Sequence, residues 1–160
     1  VVSLSSLEIG SDAPDFTLLE APGKSVTLSE ELEKGPVVLV FYPADFSSVC
    51  QEELCRFRDV LADFNELGAN VLGISVDGIF SHAAFKEANG IQFPLLSDWD
   101  KKVIEAYDVV HENLAGMTKV AKRSVFVIDT DSTIVYKWVS ENPGKLPPFE
   151  EVQMAVRKLA

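Results

Sequence analysis

No stretch of this chain stays apolar for anything near the roughly 18 residues a membrane-spanning helix requires, so no membrane span is expected. Basic residues are scarce, 14 against 25 acidic ones, which gives a net charge of -11 and a pI near 4.5. A surface of that sign repels phosphate, which argues against nucleic acid and anionic membranes as partners. The start, VVSLSSLEIG, carries neither a basic stretch leading into an apolar one nor an Arg-rich transit pattern, so a cytoplasmic location is expected. Histidine occurs only as His82 and His111, and cysteine only as Cys50 and Cys55. These four lack a recognisable ligand spacing, so no metal is expected, and two cysteines do not make a secreted disulfide scaffold. Both histidines read as solvated helix or loop residues. No linker, repeat or low-complexity segment divides the chain, so residues 1–160 are expected to fold as one domain around a core that needs no staple.

The patterning that is present reads as an α/β protein. DFTLLEAPGKSVTLSE gives two short alternating runs joined by Ala21-Pro22-Gly23-Lys24, an N-terminal hairpin, with Ser29 as N-cap of a short helix. The continuous apolar run Pro36 to Tyr42 is a buried central strand. Apolar residues at Cys50, Leu54, Phe57, Leu61 and Phe64 predict one helix from about Ser48 to Leu67. NVLGISV, FPLLSD, SVFVID and TIVYKWV follow as strands, with HAAFKEAN, DKKVIEAY and FEEVQMAVRKLA as helices. This order implies a thioredoxin-like fold, a central mixed β-sheet flanked by helices, parallel in its first part and antiparallel at its end.

Two cysteines five residues apart raise a geometric question. In an intact helix that spacing puts the Cα atoms about 8.6 Å apart, beyond the roughly 4.4–6.8 Å a disulfide accepts. The pair can bond only if the first turns of the helix unwind. Cys50 shares the inward stripe, whereas Cys55 falls on the flank with Arg58, Asp59 and Ala62 and should be less buried. Cys50 also sits in the first turn of a helix leaving the C-terminal edge of a strand, where unpaired N–H groups and the helix dipole favour a thiolate over a thiol. Ser47 could direct its hydroxyl at the sulfur or a substrate, or it could cap the helix; the local sequence supports both readings equally.

FYPADFSSVCQEELCRFRD resembles the active-site segment of the peroxiredoxins, with Pro43, Ser47 and Cys50 at the Pro-x-x-x-Thr/Ser-x-x-Cys positions. Cys55 matches the second cysteine of the bacterioferritin comigratory protein (PrxQ) subgroup, and GSDAPDFTL, GISVDG, FPLLSD, AYDVV and KRSVFVID extend the similarity along nearly the whole chain. The resemblance implies a thiol peroxidase in which Cys50 is oxidised by a hydroperoxide to a sulfenic acid. Cys55 then resolves this acid as an intramolecular disulfide, which a thioredoxin-like dithiol protein reduces. It further implies that Arg123 approaches the sulfur, that Glu53 orients an arginine, that Pro43 shields the sulfenic acid, and that no cofactor is needed. The subgroup includes monomers and homodimers. Ser47 stands where threonine is commoner, Ser48 where proline is frequent and Gln51 where threonine is frequent, departures expected to tune rate or helix opening.

A thiol-disulfide oxidoreductase shares the inferred fold but usually needs Cys-x-x-Cys and a cis-proline about where Arg123 stands. A redox sensor whose disulfide is a switch would use the same cysteines, and a rate measurement separates it from a peroxidase. Arg56 and Arg58 read as solvated helix-surface residues beside Glu52 and Asp59, Trp99 and Trp138 as packing or edge residues, and NPGKLPPFEE as a loop rather than a docking motif.

Overall fold

A computed structural model describes residues 7–159. In chain order the elements are β1 (Thr17–Ala21), β2 (Lys24–Thr27), α1 (Leu28–Leu32), β3 (Val37–Phe41), α2 (Ser48–Asp59), α3 (Leu61–Glu66), β4 (Asn70–Ser75) and α4 (Ile79–Asn89). They continue with β5 (Leu95–Ser97), α5 (Lys102–Ala106), β6 (Val110–Leu114), β7 (Met117–Ala121), β8 (Ser124–Ile128), β9 (Ile134–Val139) and α6 (Phe149–Arg157).

Seven strands form one mixed sheet in the order β2-β1-β5-β4-β3-β8-β9. The strands β5, β4 and β3 run parallel, while β8 and β9 are antiparallel additions on one side and the β1–β2 hairpin extends the other. All five residues of β3 are buried. The period-2 alternation of its side chains divides them between two cores. Val37, Leu39 and Phe41 join α1 and α5 on one face, and Val38 and Val40 join α2, α3, α4 and α6 on the other. The thioredoxin-like arrangement and the N-terminal hairpin are as the patterning implies.

Three local features differ from the sequence reading. The single helix expected from Ser48 to Leu67 is two helices, broken at Val60 (φ -106°, ψ 9°), and the apolar stripe continues across the break through Leu61 and Phe64. Ser29 is not the cap of α1: Thr27 holds that position without a side-chain capping bond, and the Ser29 amide is satisfied instead by Asp15 Oδ1 at 2.9 Å. The β6–β7 hairpin had no counterpart in the sequence reading. It turns at Ala115 and Gly116, both at positive φ as a two-residue hairpin turn requires.

Register fixes where the functional edge lies. Phe41 at the end of β3 pairs with Ile74 of β4 and with Ser124 of β8. The chain leaving β3, the end of β4 and the start of β8 therefore meet at one edge of the sheet, the usual location of a site in such folds.

Candidate active site

From the end of β3 the chain runs through Tyr42 and Pro43, both buried, and turns at Phe46, whose φ of 66° is uncommon for a residue with a side chain. Asp45 holds this turn. Its amide donates to Asp77 Oδ2 (2.8 Å), its Oδ1 accepts from the Tyr42 hydroxyl (2.6 Å), and its Oδ2 accepts from Ser81 Oγ (2.8 Å) and faces His82 Nδ1 (2.8 Å). The other ring nitrogen of His82 donates to the Leu96 carbonyl at 3.0 Å. The imidazole is thereby held between the Asp45 carboxyl and the Leu96 carbonyl, one oxygen at each ring nitrogen. Burial, followed by the charge of Asp45, pushes the Tyr42 hydroxyl well above its ordinary range, so it stays a donor. His82 is thus fully buried and not the solvated residue its sequence context suggested.

Beyond the turn, Ser47 is the N-cap residue of α2, with extended backbone angles and its carbonyl accepting from the Gln51 amide at 2.8 Å. Its hydroxyl makes no capping bond and the residue is exposed, so Ser47 does not cap α2 with its side chain. Cys50 follows in the first turn, fully buried on the inward stripe beside Leu54 and Phe57.

Arg123, next to the start of β8, reaches this sulfur. Its Nη2 donates to Cys50 Sγ at 3.1 Å, and because a guanidinium in a protein has only donors, the sulfur is the acceptor. The fork is fixed from two sides. Nη1 bonds Glu53 Oε1 at 2.6 Å, and both Nε (3.0 Å) and Nη2 (2.8 Å) bond the carbonyl of Pro143. Burial opposes the charge on Arg123, but Glu53 and Cys50 outweigh it and hold the guanidinium protonated. Glu53 is fully buried, and its Oε2 has no hydrogen-bond partner. Burial therefore raises its carboxyl to about 7 against the opposing pull of Arg123.

Cys55 is half-buried on the flank of α2, as expected, and both cysteines are free thiols. Its Sγ donates to Asn89 Oδ1 at 3.7 Å. Arg58 stays partly exposed and paired with Asp59, its Nε and Nη2 bonding Asp59 Oδ1 at 2.9 Å, but its Nη1 also donates to the Asn89 carbonyl at 2.5 Å. Arg56 lies 4.2 Å over the ring of Phe149. The structure therefore brings Cys50, Glu53 and Arg123 together, keeps Pro43 and Ser47 in the loop leading to them, and faces Cys55 elsewhere. A concavity of about 550 Å³, lined by Leu19, Phe80 and Trp99 among others, contains none of these groups. Among the described residues no cluster of His, Cys, Asp and Glu is arranged to hold a metal.

Residues 9–137 match the model of the AhpC/TSA family. The chain belongs to that family. A putative peroxiredoxin bcp of Coxiella burnetii is 40% identical over 135 residues, covering 83% of this chain and 89% of the relative. Peroxiredoxin Bcp of Bacillus subtilis is 38% identical over 135 residues, covering 83% and 85%. Among solved structures, peroxidoxin BcpB of Mycobacterium tuberculosis superposes with a TM-score of 0.86 at 34% identity, covering 96% of this chain and 99% of that one. A mutant PrxQ of Xylella fastidiosa gives 0.84 at 31%, covering 96% and 98%. These likenesses identify a peroxiredoxin of the Bcp/PrxQ type, and its enzyme class is that of a thiol peroxidase, a hydroperoxide reductase.

In this peroxiredoxin the sequence reading missed the Pro143 carbonyl and the Asp45–His82 pair. A backbone acceptor has no sequence signature, and His82 lies 37 residues from the carboxylate that holds it. A tyrosine ending a wholly apolar run was the one available signal, because a buried phenol needs a partner.

Proposed function

We propose that this chain reduces hydrogen peroxide and organic hydroperoxides through Cys50, with Cys55 as the resolving thiol and a thioredoxin-like dithiol protein as the reductant. The observation that carries the reading is the 3.1 Å contact from Arg123 to Cys50 Sγ, made by a guanidinium clamped by Glu53 and Pro143.

The Cys50 thiolate attacks the terminal oxygen of R–O–OH, an S–O bond forms and the O–O bond breaks. Two electrons pass from sulfur to oxygen, and the alkoxide leaves and takes up a proton. A fixed guanidinium and the first-turn N–H groups stabilise both the starting thiolate and the negative charge developing on the leaving oxygen. Ser47 offers a hydroxyl free of any capping bond to the same substrate. The substrate arrives at the start of α2, where Phe46, Ser47 and Ser48 are exposed. Buried Pro43 and its loop keep water and further peroxide from the sulfenic acid, limiting its advance to sulfinic acid.

In the second step the Cys55 thiolate attacks the Cys50 sulfur, the S–O bond breaks, and the departing hydroxide is protonated to water. Intact α2 holds the cysteines too far apart for this, so its first turns unwind. Exchange with an external dithiol reopens the disulfide and oxidises that dithiol. A reducing cytoplasm, acting on a single domain that is monomeric or homodimeric, suits such a cycle.

Reduced protein mixed with substoichiometric hydrogen peroxide, followed by tryptophan fluorescence and intact mass, tests the cycle. Wild type is expected to lose both thiols rapidly, Cys55→Ser to accumulate a sulfenic acid trappable by dimedone, and Cys50→Ser to remain reduced. A wild-type rate no greater than that of free cysteine would leave a disulfide exchanger or redox sensor as the better account.

A further inference from the structure

The two halves of α2 are fixed in different ways. The first half, Ser48–Glu53, buries only Cys50 and Glu53, and both are held by a single residue, Arg123. It has no side-chain cap, and Gln51 and Glu52 face solvent. The second half buries Leu54 and Phe57 completely, stacks Phe57 on Phe64 (6.2 Å), packs it at a tilt against Phe149 (5.0 Å), and lays Arg56 over Phe149. It is also tied to the end of α4. There the chain turns through Gly90 in the left-handed conformation (φ 62°), a common helix stop that leaves terminal carbonyls seeking donors. Arg58 supplies one, donating to the Asn89 carbonyl, and a cation at that end also complements the helix dipole. The Asn89 side chain is itself anchored, its Nδ2 bonded to the Phe85 carbonyl at 3.0 Å, and its Oδ1 receives the Cys55 thiol.

We propose that Cys55 is the stationary partner of the pair, that Arg58 and Asn89 are positioning residues holding it against the end of α4, and that only Ser48–Glu53 unwinds to bring Cys50 to it. This rests on the peroxidase reading of the two cysteines. Freed from Arg123, the short segment 51–53 is long enough to double back on a fixed Cys55, since each extended residue spans more than about 3 Å. At Cys55 only the thiol hydrogen bond to Asn89 must break, while the Arg58 clamp stays closed. The clamp thereby sets the rate of the second step and, through it, the time available for a second peroxide to overoxidise Cys50.

Diamide closes the disulfide without peroxide: it takes two hydrogens from the two thiols and becomes a hydrazine, so hydrogen exchange on the diamide-oxidised protein is independent of peroxidase activity. Amides 51–56, whose helical acceptors lie in residues 47–52, are expected to lose at least about tenfold in protection relative to the reduced protein. Those of Arg58, Asp59 and Val60, bonded within the second half, are expected to stay within about threefold. Loss across both sets would overturn the proposal, as would failure of the disulfide to form. In peroxide stopped-flow, Arg58→Met and Asn89→Ala should leave the sulfenic-acid step unchanged and slow disulfide closure about fivefold, with more sulfinic acid per turnover. Arg58→Lys should recover part of the loss. Unchanged closure would mean that the clamp plays no part and faster closure that it restrains Cys55; either would overturn the proposal. If wild type does not react with peroxide, the peroxidase reading fails and the diamide experiment alone decides this one.

Discussion

On one face of the central sheet Phe41, Tyr107 and Phe126 pack with ring centroids 5.2–5.8 Å apart, surrounded by aliphatic residues from α1, α5 and the strands. On the other face the core under α2 and α4 is interrupted by buried polar groups: Cys50, Glu53, His82, Asn89 and Arg123. The first face stabilises by area removed from water. The second gives up part of that gain to desolvation, and what it obtains is a sulfur beside a guanidinium that cannot turn away. On the proposed function, stability and reactivity are therefore concentrated on opposite sides of one sheet, and substitutions on the two sides should produce separable defects.

The largest effect expected on the reactive face is Arg123→Met. It removes the donor to Cys50 and leaves Glu53 buried without a partner. The rate constant for sulfenic acid formation should fall about 10²–10³-fold in stopped-flow, and stability should drop by about 3–5 kcal/mol in urea. Phe126→Ala tests the apolar face and should cost a similar amount, about 3–5 kcal/mol, while leaving the peroxide rate constant of the folded protein unchanged within about twofold. A large rate defect in that variant would end the separation. Next is Asp45→Asn, which weakens the bonds that hold the Phe46 turn. A loss of about 1–3 kcal/mol is expected, together with a slower first step that Phe126→Ala does not share.

The pH dependence sharpens the comparison further. The carboxyl of Glu53 sits near 7 in the folded protein and lower when unfolded, so the folded state retains its proton longer. Its contribution to stability is full below the unfolded value near 4.5 and is lost as pH rises through about 7. Urea midpoints across pH 4 to 8 should carry this downward trend in wild type and lose that component in Glu53→Gln, with a slope of at most about 1.4 kcal/mol per pH unit from one proton. Smallest of all is Ser47→Ala. With no capping bond to lose, it should change stability by less than about 0.5 kcal/mol, so any rate defect it shows reports substrate contact.

How far the sequence disclosed these two faces follows from the range of the forces involved. The β3 strand and the inward position of Cys50 were legible because each is a local periodicity. The resemblance pointed to Arg123 and Glu53, and the structure brings both to the sulfur. The break at Val60 was hidden because no glycine or proline marks it and the apolar phase runs through it. The β6–β7 hairpin was hidden because few of its residues are buried and they do not alternate between apolar and polar. The burial of His82 and the bond from Arg58 to Asn89 were hidden for one reason: Asp45 lies 37 residues from His82 and Asn89 lies 31 from Arg58, and isolated polar side chains carry no local sign of such partners.

The central claim, that a geometrically fixed guanidinium makes Cys50 reactive, is tested most directly by the second-order rate constant of Arg123→Lys with hydrogen peroxide. That variant keeps the positive charge and loses the fork that Glu53 and Pro143 hold. The account predicts a fall of at least about tenfold in a protein that still folds cooperatively. A rate constant within about twofold of wild type would show that charge alone suffices and would contradict it.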